Sequence, residues 1–471
     1  MARRNKLIEN VQITDLGDKG YAIGRTPVGE VILVEKAVPG DQVNVLILGK
    51  KKGLKKGKVQ EFLKYSDQRE EPFCQHFEHC GGCKWQNLNY HSQVSFKEKV
   101  VKDAIQRIAK EPSEKVDQIR PADEIKRYRN KLEYTFSSRR WLTPDEIASG
   151  STFDDRHGLG FHIAGAFDKV LDIENCWLQE DLSNQIRNAL RKFAMNSKLS
   201  FYDIKNNNGF LRNLIVRNTN SNQWMIIVVF GEKLPAEIEE TLQFLSTNFP
   251  KITSLNYVVN HKKNSSISDL DVINWSGNKH ITDQIGSIKY LIGPKSFFQT
   301  NSIQAKTLFD VVSDLGAFQR DEIVYDLYCG TGSISLYVAN RCNRVIGIEI
   351  IPEAIVDAKE NARLNNISNV EFVTGDVKDI LSEDFRKLHG KPTSVITDPP
   401  RAGMHKTVVE YLLELECPKL VYVSCNPSTQ ARDILLLKEK YRLEKVVPVD
   451  MFPHTSHVEA VALLTLVQNN S

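Results

Sequence analysis

Apolar residues are spaced in different ways along this chain. Over residues 11–14, 21–23, 30–34, 41–48 and 58–62 they alternate with polar ones, and Gly17, Gly20, Gly24, Gly29 and Gly40 interrupt the runs. Period-two segments between turn residues predict strands, and five of them in so short a stretch predict a small five-stranded barrel of the OB type. Over residues 90–110 the spacing lengthens: Val94, Val101, Ala104, Ile105 and Ile108 recur with charges between them, which predicts an amphipathic helix. Residues 126–136 alternate again, basic against apolar, and predict a half-buried strand with a cationic face. Residues 158–290 mix strands, such as 214–217 and 224–230, with helices, and polar tracts at 206–209 and 261–264 predict exposed turns.

From residue 291 onward strand and helix patterns take turns. Strands ending at Asp326, Glu349, Val373, Asp398 and Cys425, followed by terminal strands near 446–449 and 458–466, fit an α/β domain with a mainly parallel, seven-stranded, Rossmann-like sheet whose last strand is antiparallel. At 471 residues the chain exceeds the size one core usually supports. The expected division is a barrel at 1–66, a central α+β region at 67–290 whose helix near 90–110 packs on the final unit, and a catalytic domain at 291–471.

Composition excludes more than it proposes. Forty-one per cent hydrophobic and 26% charged residues are ordinary for a globular protein, and a net charge of +3 does not by itself indicate a nucleic-acid binder. Locally the picture differs, because residues 50–58 carry six lysines in nine positions, suited to phosphates or to a solvated loop. No apolar segment of signal-peptide length follows Met1-Ala2-Arg3-Arg4-Asn5-Lys6, and apolar runs such as 224–230 are too short to span a bilayer, so a cytoplasmic protein without a membrane partner is expected. Eight cysteines without a secretory signal argue against a disulfide framework and toward metal or catalytic use.

The cysteines divide into two kinds. Cys74, Cys80 and Cys83, with Gly81 and Gly82 among them and Cys176 as a distant fourth, could ligate a tetrahedral zinc ion or an iron-sulfur centre, and spacing alone does not choose. Cys425 follows the apolar stretch Leu420-Val421-Tyr422-Val423 and precedes Asn426-Pro427, which cannot continue a sheet. Its thiol should therefore sit at a strand's carboxyl end, where open α/β sheets place their chemistry, although free cysteines are often simply buried. Upstream, Asp326-Leu327-Tyr328-Cys329-Gly330-Thr331-Gly332-Ser333 reads as a strand entering a glycine turn, and Glu349 ends the next strand seventeen residues after Gly332, placed to accept from ribose hydroxyls. A dinucleotide or S-adenosylmethionine would suit such a turn; it lacks the third dinucleotide glycine and resembles the first loop of methyltransferases, which implies the second.

Asp398-Pro399-Pro400-Arg401, Ser424-Cys425-Asn426-Pro427 and Phe452-Pro453-His454-Thr455-Ser456-His457-Val458-Glu459, in this order, resemble the motifs of the RNA (uracil-C5)-methyltransferase family, and Phe297-Phe298-Gln299-Thr300-Asn301 resembles its Phe-x-Gln-x-Asn segment. The resemblance implies formation of 5-methyluridine from S-adenosyl-L-methionine, with Cys425 as nucleophile and Glu459 as base. It implies donor binding by Gln299, Tyr328, Ser333, Glu349, Asp376 and Asp398, although Ser333 and Asp376 stand where asparagine is expected. It further implies a [4Fe-4S] cluster on Cys74, Cys80, Cys83 and Cys176, structural or RNA-contacting because four ligands close its coordination. Residues 1–66 resemble a TRAM domain whose lysine run would grip RNA phosphates, Arg129 and Lys131 would be further RNA contacts, and His454 and His457 would order the loop carrying Glu459. Barrel, cysteines and length resemble the 23S rRNA enzymes more than the tRNA enzymes, so 23S rRNA is the first expected partner, tRNA the second, and a monomer the expected state.

Other classes fit less well. An adenine amino-methyltransferase would place an aromatic residue where Arg401 follows the prolines, and an RNA 5-methylcytosine enzyme would place a cysteine after proline. A non-catalytic RNA-binding iron-sulfur or zinc module would not need Cys425, Glu459 and Glu349 together.

Overall fold

The computed structural model describes residues 6–467 apart from positions 18–19, 52, 154 and 164 and the side chain at 167. Met1-Ala2-Arg3-Arg4-Asn5 and Lys52, on which two of the expectations above partly rest, lie outside the described residues.

Strands β1 (Leu7–Leu16), β2 (Ala22–Arg25), β3 (Val31–Glu35), β4 (Gln42–Lys51) and β5 (Leu54–Lys64) close into a barrel in the order β1-β2-β3-β5-β4. Alternation is the cause, since Val11, Ile13, Ile32, Val34, Val43 and Val45 all point into its buried core. At Gly57 the neighbouring strand passes so close that a Cβ would stand 2.7 Å from the Leu46 carbonyl oxygen, a contact only glycine permits. Lys50 and Lys51 on β4 pair with Lys55 and Leu54 on β5. Part of the lysine charge is used within the barrel: Lys55 pairs with Glu30 at 2.7 Å, Lys56 with Glu35 at 2.9 Å, and Lys51 sits 4.1 Å over the Tyr21 ring.

Strands β6 (Lys131–Ser137), β7 (Gly158–Ile163), β8 (Ala166–Asp172), β9 (Leu211–Asn218), β10 (Trp224–Phe230), β11 (Ile252–Val259) and β12 (Ile273–Gly277) build a mixed sheet in the order β12-β11-β10-β9-β6-β7-β8. The strand expected from residue 126 begins only at Lys131. Arg127 adopts φ 56°, and the amides of Arg127 and Arg129 each donate at 2.7 Å to the carbonyls of Trp177 and Leu178, so the basic stretch is a connection tied to the segment after Cys176. On β9 and β10 both faces are covered. Leu214, Val216, Ile226 and Val228 pack with the helices Asp181–Asn196 and Pro235–Asn248, whereas Ile215, Met225, Ile227 and Val229 join the core of the C-terminal sheet. A hairpin of β13 (Ile281–Ile285) and β14 (Ile288–Ile292), not separated from its surroundings by the hydrophobic pattern, follows.

The C-terminal sheet contains β15 (Ile323–Leu327), β16 (Arg344–Glu349), β17 (Val370–Thr374), β18 (Ser394–Thr397), β19 (Lys419–Ser424), β20 (Tyr441–Val449) and β21 (Glu459–Leu466) in the order β17-β16-β15-β18-β19-β21-β20. Strands β15 to β19 are mutually parallel, and β21 runs antiparallel to both of its neighbours. Successive residues face opposite ways, so Val324, Val345 and Val421 enter one core while Tyr325, Ile346 and Tyr422 enter the other. Val101, Ala104 and Ile105 pack into that second core. They come from the helix Tyr90–Ala104 and its π-helical continuation Ile105–Ala109. Strand order reverses between β15 and β18, which opens a crevice at the carboxyl ends, the place where such sheets bind ligands. Among the described residues no helix is long and apolar enough to cross a membrane.

Candidate active site

The carboxyl ends of β15 to β19 border this crevice, and the first residue of β21 joins them. The connection after β15 runs through three left-handed residues, Tyr328 at φ 65°, Gly330 at 54° and Gly332 at 76°, and turns into the helix Ser333–Val338. At Gly332 a Cβ would stand 2.7 Å from the Phe372 ring and 3.2 Å from Ala358, so the turn depends on glycine there. Glu349, ending β16, accepts from the amides of Gly330 at 3.1 Å and Ile351 at 2.9 Å. Two backbone donors thus orient a carboxylate that has lone pairs to spare for a ligand.

The other expected donor-binding residues lie along the same rim with differing freedom. Asp376 caps the short helix Val377–Ile380, accepts from the Lys378 amide at 3.2 Å and pairs with its ammonium at 2.8 Å, which holds its carboxyl below the usual range. Burial, with the nearby Asp376 charge, pushes the Tyr328 phenol up to about 12. The Ser333 hydroxyl lies 3.3 Å from that of Thr331, and its carbonyl accepts from Tyr290 at 2.9 Å. Gln299 is half-buried, with its carbonyl held by the Asn130 amide group at 2.9 Å.

Cys425 and Glu459 come together through the reversal of β21. Ser424 pairs with Ala460 across the antiparallel ladder, so the next residues outward, Cys425 and Glu459, stand opposite each other at the strand ends. Cys425 is half-buried and Glu459 only 8% exposed. Burial, reinforced by the Glu459 and Asp398 carboxyls, raises the Cys425 thiol, while the Arg401 guanidinium opposes them through its charge and a hydrogen bond. Burial and then Asp398 push Glu459 up to about 8, again against Arg401, and burial with Asp326 pushes Asp398 up to about 7. Asp326 is itself buried and pushed up to about 7, accepting from the Ser335 hydroxyl at 2.5 Å. A thiol, two carboxyls that can carry or release a proton near neutrality, and one cation therefore share a small volume.

Arg401 and Asp326 were not singled out from the sequence. Arg401 had a signal, its place beside Asp398-Pro399-Pro400, and the structure ties its loop to that of Cys425: Asn426 and Thr429 donate to its carbonyl at 3.0 and 3.3 Å.

Cys74, Cys80, Cys83 and Cys176 line a second cavity, of about 540 Å³, together with Arg129, Lys131, Thr300 and Thr455. Burial pushes Cys80 up to about 11 and Cys83 up to about 12, and the Gly82 amide donates to the Cys80 sulfur at 3.4 Å. Among the described residues no three His, Cys, Asp or Glu side chains are arranged to hold a metal ion, so the arrangement supports neither the zinc ion nor the [4Fe-4S] cluster expected on these cysteines. The four thiols, with the Gly82 amide aimed at the Cys80 sulfur, border this one space. Arg129 and Lys131, expected on the cationic face of a half-buried strand as RNA contacts, belong to this wall; Arg129 also lies 5.3 Å over the Phe452 ring.

A family profile described as tRNA (uracil-5-)-methyltransferase matches residues 211–467. Among curated proteins, an uncharacterized RNA methyltransferase of Bacteroides thetaiotaomicron is 48% identical over 93% of this chain and 97% of its own length. One of Porphyromonas gingivalis is 45% identical over 96% of this chain and 99% of its own. Among solved structures, the Pyrococcus abyssi tRNA (uracil-54, C5)-methyltransferase in complex with S-adenosyl-L-homocysteine has a TM-score of 0.75 at 30% identity, covering 96% of this chain and 99% of that one.

Proposed function

The chain belongs to the RNA (uracil-5-)-methyltransferase family and is an S-adenosyl-L-methionine-dependent enzyme, and we propose that it makes 5-methyluridine in 23S rRNA with Cys425 as nucleophile and Glu459 as base. The observation that carries the roles is the register of β19 and β21, which sets these two residues opposite one another beside Asp398 and Arg401.

Uracil C5 is too weakly nucleophilic to accept a methyl group unaided. Addition of the Cys425 thiolate to C6 turns C5 into an enolate-like carbon, which would form the new bond to the donor's methyl carbon as the sulfonium–methyl bond breaks, its electron pair staying on the donor sulfur to leave S-adenosyl-L-homocysteine. Glu459 then takes the C5 proton, the electron pair of that C–H bond re-forms the C5–C6 double bond, and the C6–S bond breaks with its electrons returning to sulfur. Arg401 favours the thiolate at both ends of this cycle. Asp398 and Gln299 border the space where the base must enter, and a uridine in folded RNA has to leave its stack to reach it.

S-adenosyl-L-methionine, when bound, supplies the electrophilic methyl group. Tyr328, Ser333, Glu349 and Asp376, with Gln299 and Asp398, would hold it along the crevice. On the motif resemblance alone, Cys74, Cys80, Cys83 and Cys176 would hold a [4Fe-4S] cluster, which when bound supplies a cross-link between the first three cysteines and the segment at 176. Residues 1–66 are assigned to gripping RNA, 67–290 to recognition and 291–471 to chemistry.

One observation favours tRNA as a second reading. Similarity to the Pyrococcus abyssi tRNA enzyme extends over 96% of the chain, so it takes in most of the barrel and cysteine regions that pointed to rRNA. Purified protein, labelled S-adenosyl-L-methionine and unmodified 23S rRNA or tRNA transcripts decide the matter. Label recovered as 5-methyluridine in 23S rRNA supports the first reading, label in tRNA alone replaces the substrate, and label in neither overturns both.

A further inference from the structure

Glu459 is delivered by the loop at 450–458, and much of what holds that loop comes from the far end of the chain. Lys97 donates to Asp450 at 2.6 Å and to the Phe452 carbonyl at 2.9 Å, and both members of this ion pair have fully buried side chains. The Tyr90 hydroxyl donates to the other Asp450 oxygen at 3.0 Å. Gln93 accepts from the His454 amide at 2.9 Å, while its own amide group donates to the carbonyls of Trp85 at 2.9 Å and Leu88 at 2.7 Å. The amides of Lys84 and Trp85, immediately after Cys83, both reach the His454 carbonyl, at 2.8 and 3.2 Å. His454 has φ 64°, a conformation a non-glycine residue keeps only where its surroundings over-determine it. Here both of its backbone groups are claimed by residues 84–93.

We propose that Gln93 and Lys97 are positioning residues for the proton-removal step, holding the loop at 450–458 so that Glu459 enters β21 opposite Cys425. This rests on the roles assigned above to Cys425 and Glu459. Neither residue is on the catalytic domain in sequence, and their helix touches the loop rather than the crevice. Their loss should leave thiol addition and methylation in place and slow only the last step. A methylated protein–RNA adduct then accumulates, which a general loss of fold would not produce.

The test compares wild type, Gln93→Met, Lys97→Met and Glu459→Gln, each mixed with methyl-labelled S-adenosyl-L-methionine and whichever of the 23S rRNA or tRNA transcripts accepts label. Denaturing gels read the methylated adduct, steady-state rates read kcat and KM, and thermal melting reads folding. Gln93→Met is expected to fold, to lower kcat by roughly 10- to 100-fold with KM falling in parallel so that kcat/KM is nearly unchanged, because the slowed step follows methyl transfer, and to raise the adduct toward the Glu459→Gln level. Lys97→Met should do the same if it folds; it leaves Asp450 buried without its cation, so Gln93→Met, which keeps the pair, carries the test otherwise. A Gln93→Met enzyme with wild-type kcat, one that loses activity without accumulating adduct, or one that does not fold overturns the inference. If Glu459→Gln itself accumulates no adduct, the assignment of the base has failed instead.

Discussion

At the residue scale the site is governed by where protons reside. Glu459 is held near 8, mainly by burial, against roughly 4.3 for an ordinary glutamate. The native protein therefore retains a proton that the unfolded chain releases between those values. The stability this group contributes is full below the ordinary value and declines as pH rises toward about 8. In the proposed role of base the sign is opposite, since only the carboxylate removes a proton. Product release from the covalent adduct should thus rise about tenfold per pH unit below about 8 and level off above it, in single-turnover measurements. Glu459→Gln should lose this limb and lower kcat by roughly 10²–10⁴-fold. Arg401→Met should move the midpoint of Cys425 alkylation by iodoacetamide to higher pH, because the opposing cation is gone. Cys425 and Glu459 were legible as motif residues. Arg401 and Asp326 stood in the motifs too, but their place beside Cys425, Glu459 and Asp398 was not legible, because residue identity does not say which way a side chain points.

At the scale of elements, the glycine turn after β15 was readable because its left-handed dihedrals are a local requirement. Glycine at 332 is needed by its own dihedral and by the neighbours a Cβ would strike. Gly332→Ala should cost about 1–2 kcal/mol in denaturant unfolding and abolish S-adenosyl-L-homocysteine binding measured by calorimetry. The amphipathic spacing over 90–110 likewise announced a helix, though not its π-helical last turn at Ile105–Ala109. Residues 126–130 misled the periodicity: their alternation is real, yet their amides are claimed by Trp177 and Leu178, and a distant backbone outcompetes local strand preference.

Across the whole molecule, the proposed function places recognition and chemistry in different units. Lys50 and Lys58 have no ion-pair partner among the described residues, unlike Lys55 and Lys56. Lys50→Gln together with Lys58→Gln should weaken RNA binding and flatten its logarithmic salt dependence by about 0.7 per lysine, read by fluorescence anisotropy, while kcat at saturating RNA is unchanged. For the cysteine cavity, protein purified without oxygen should carry about four irons per chain with matching acid-labile sulfide, and Cys176→Ser should lose both in elemental analysis.

What the sequence determined by itself was local: which stretches alternate as strands or wind as helices, where the glycine turn lies, and the order in which an acid, a thiol and a second acid follow one another. These are properties of adjacent residues, set by backbone sterics and side-chain spacing. Only the tertiary structure decided that the first residue of β21 faces the end of β19, that Arg129 and Lys131 line the space shared by four cysteines, and that Lys97 neutralises Asp450, 353 residues later. Each of those depends on the distance through space between segments far apart in the chain, which a pattern of neighbouring residues does not carry.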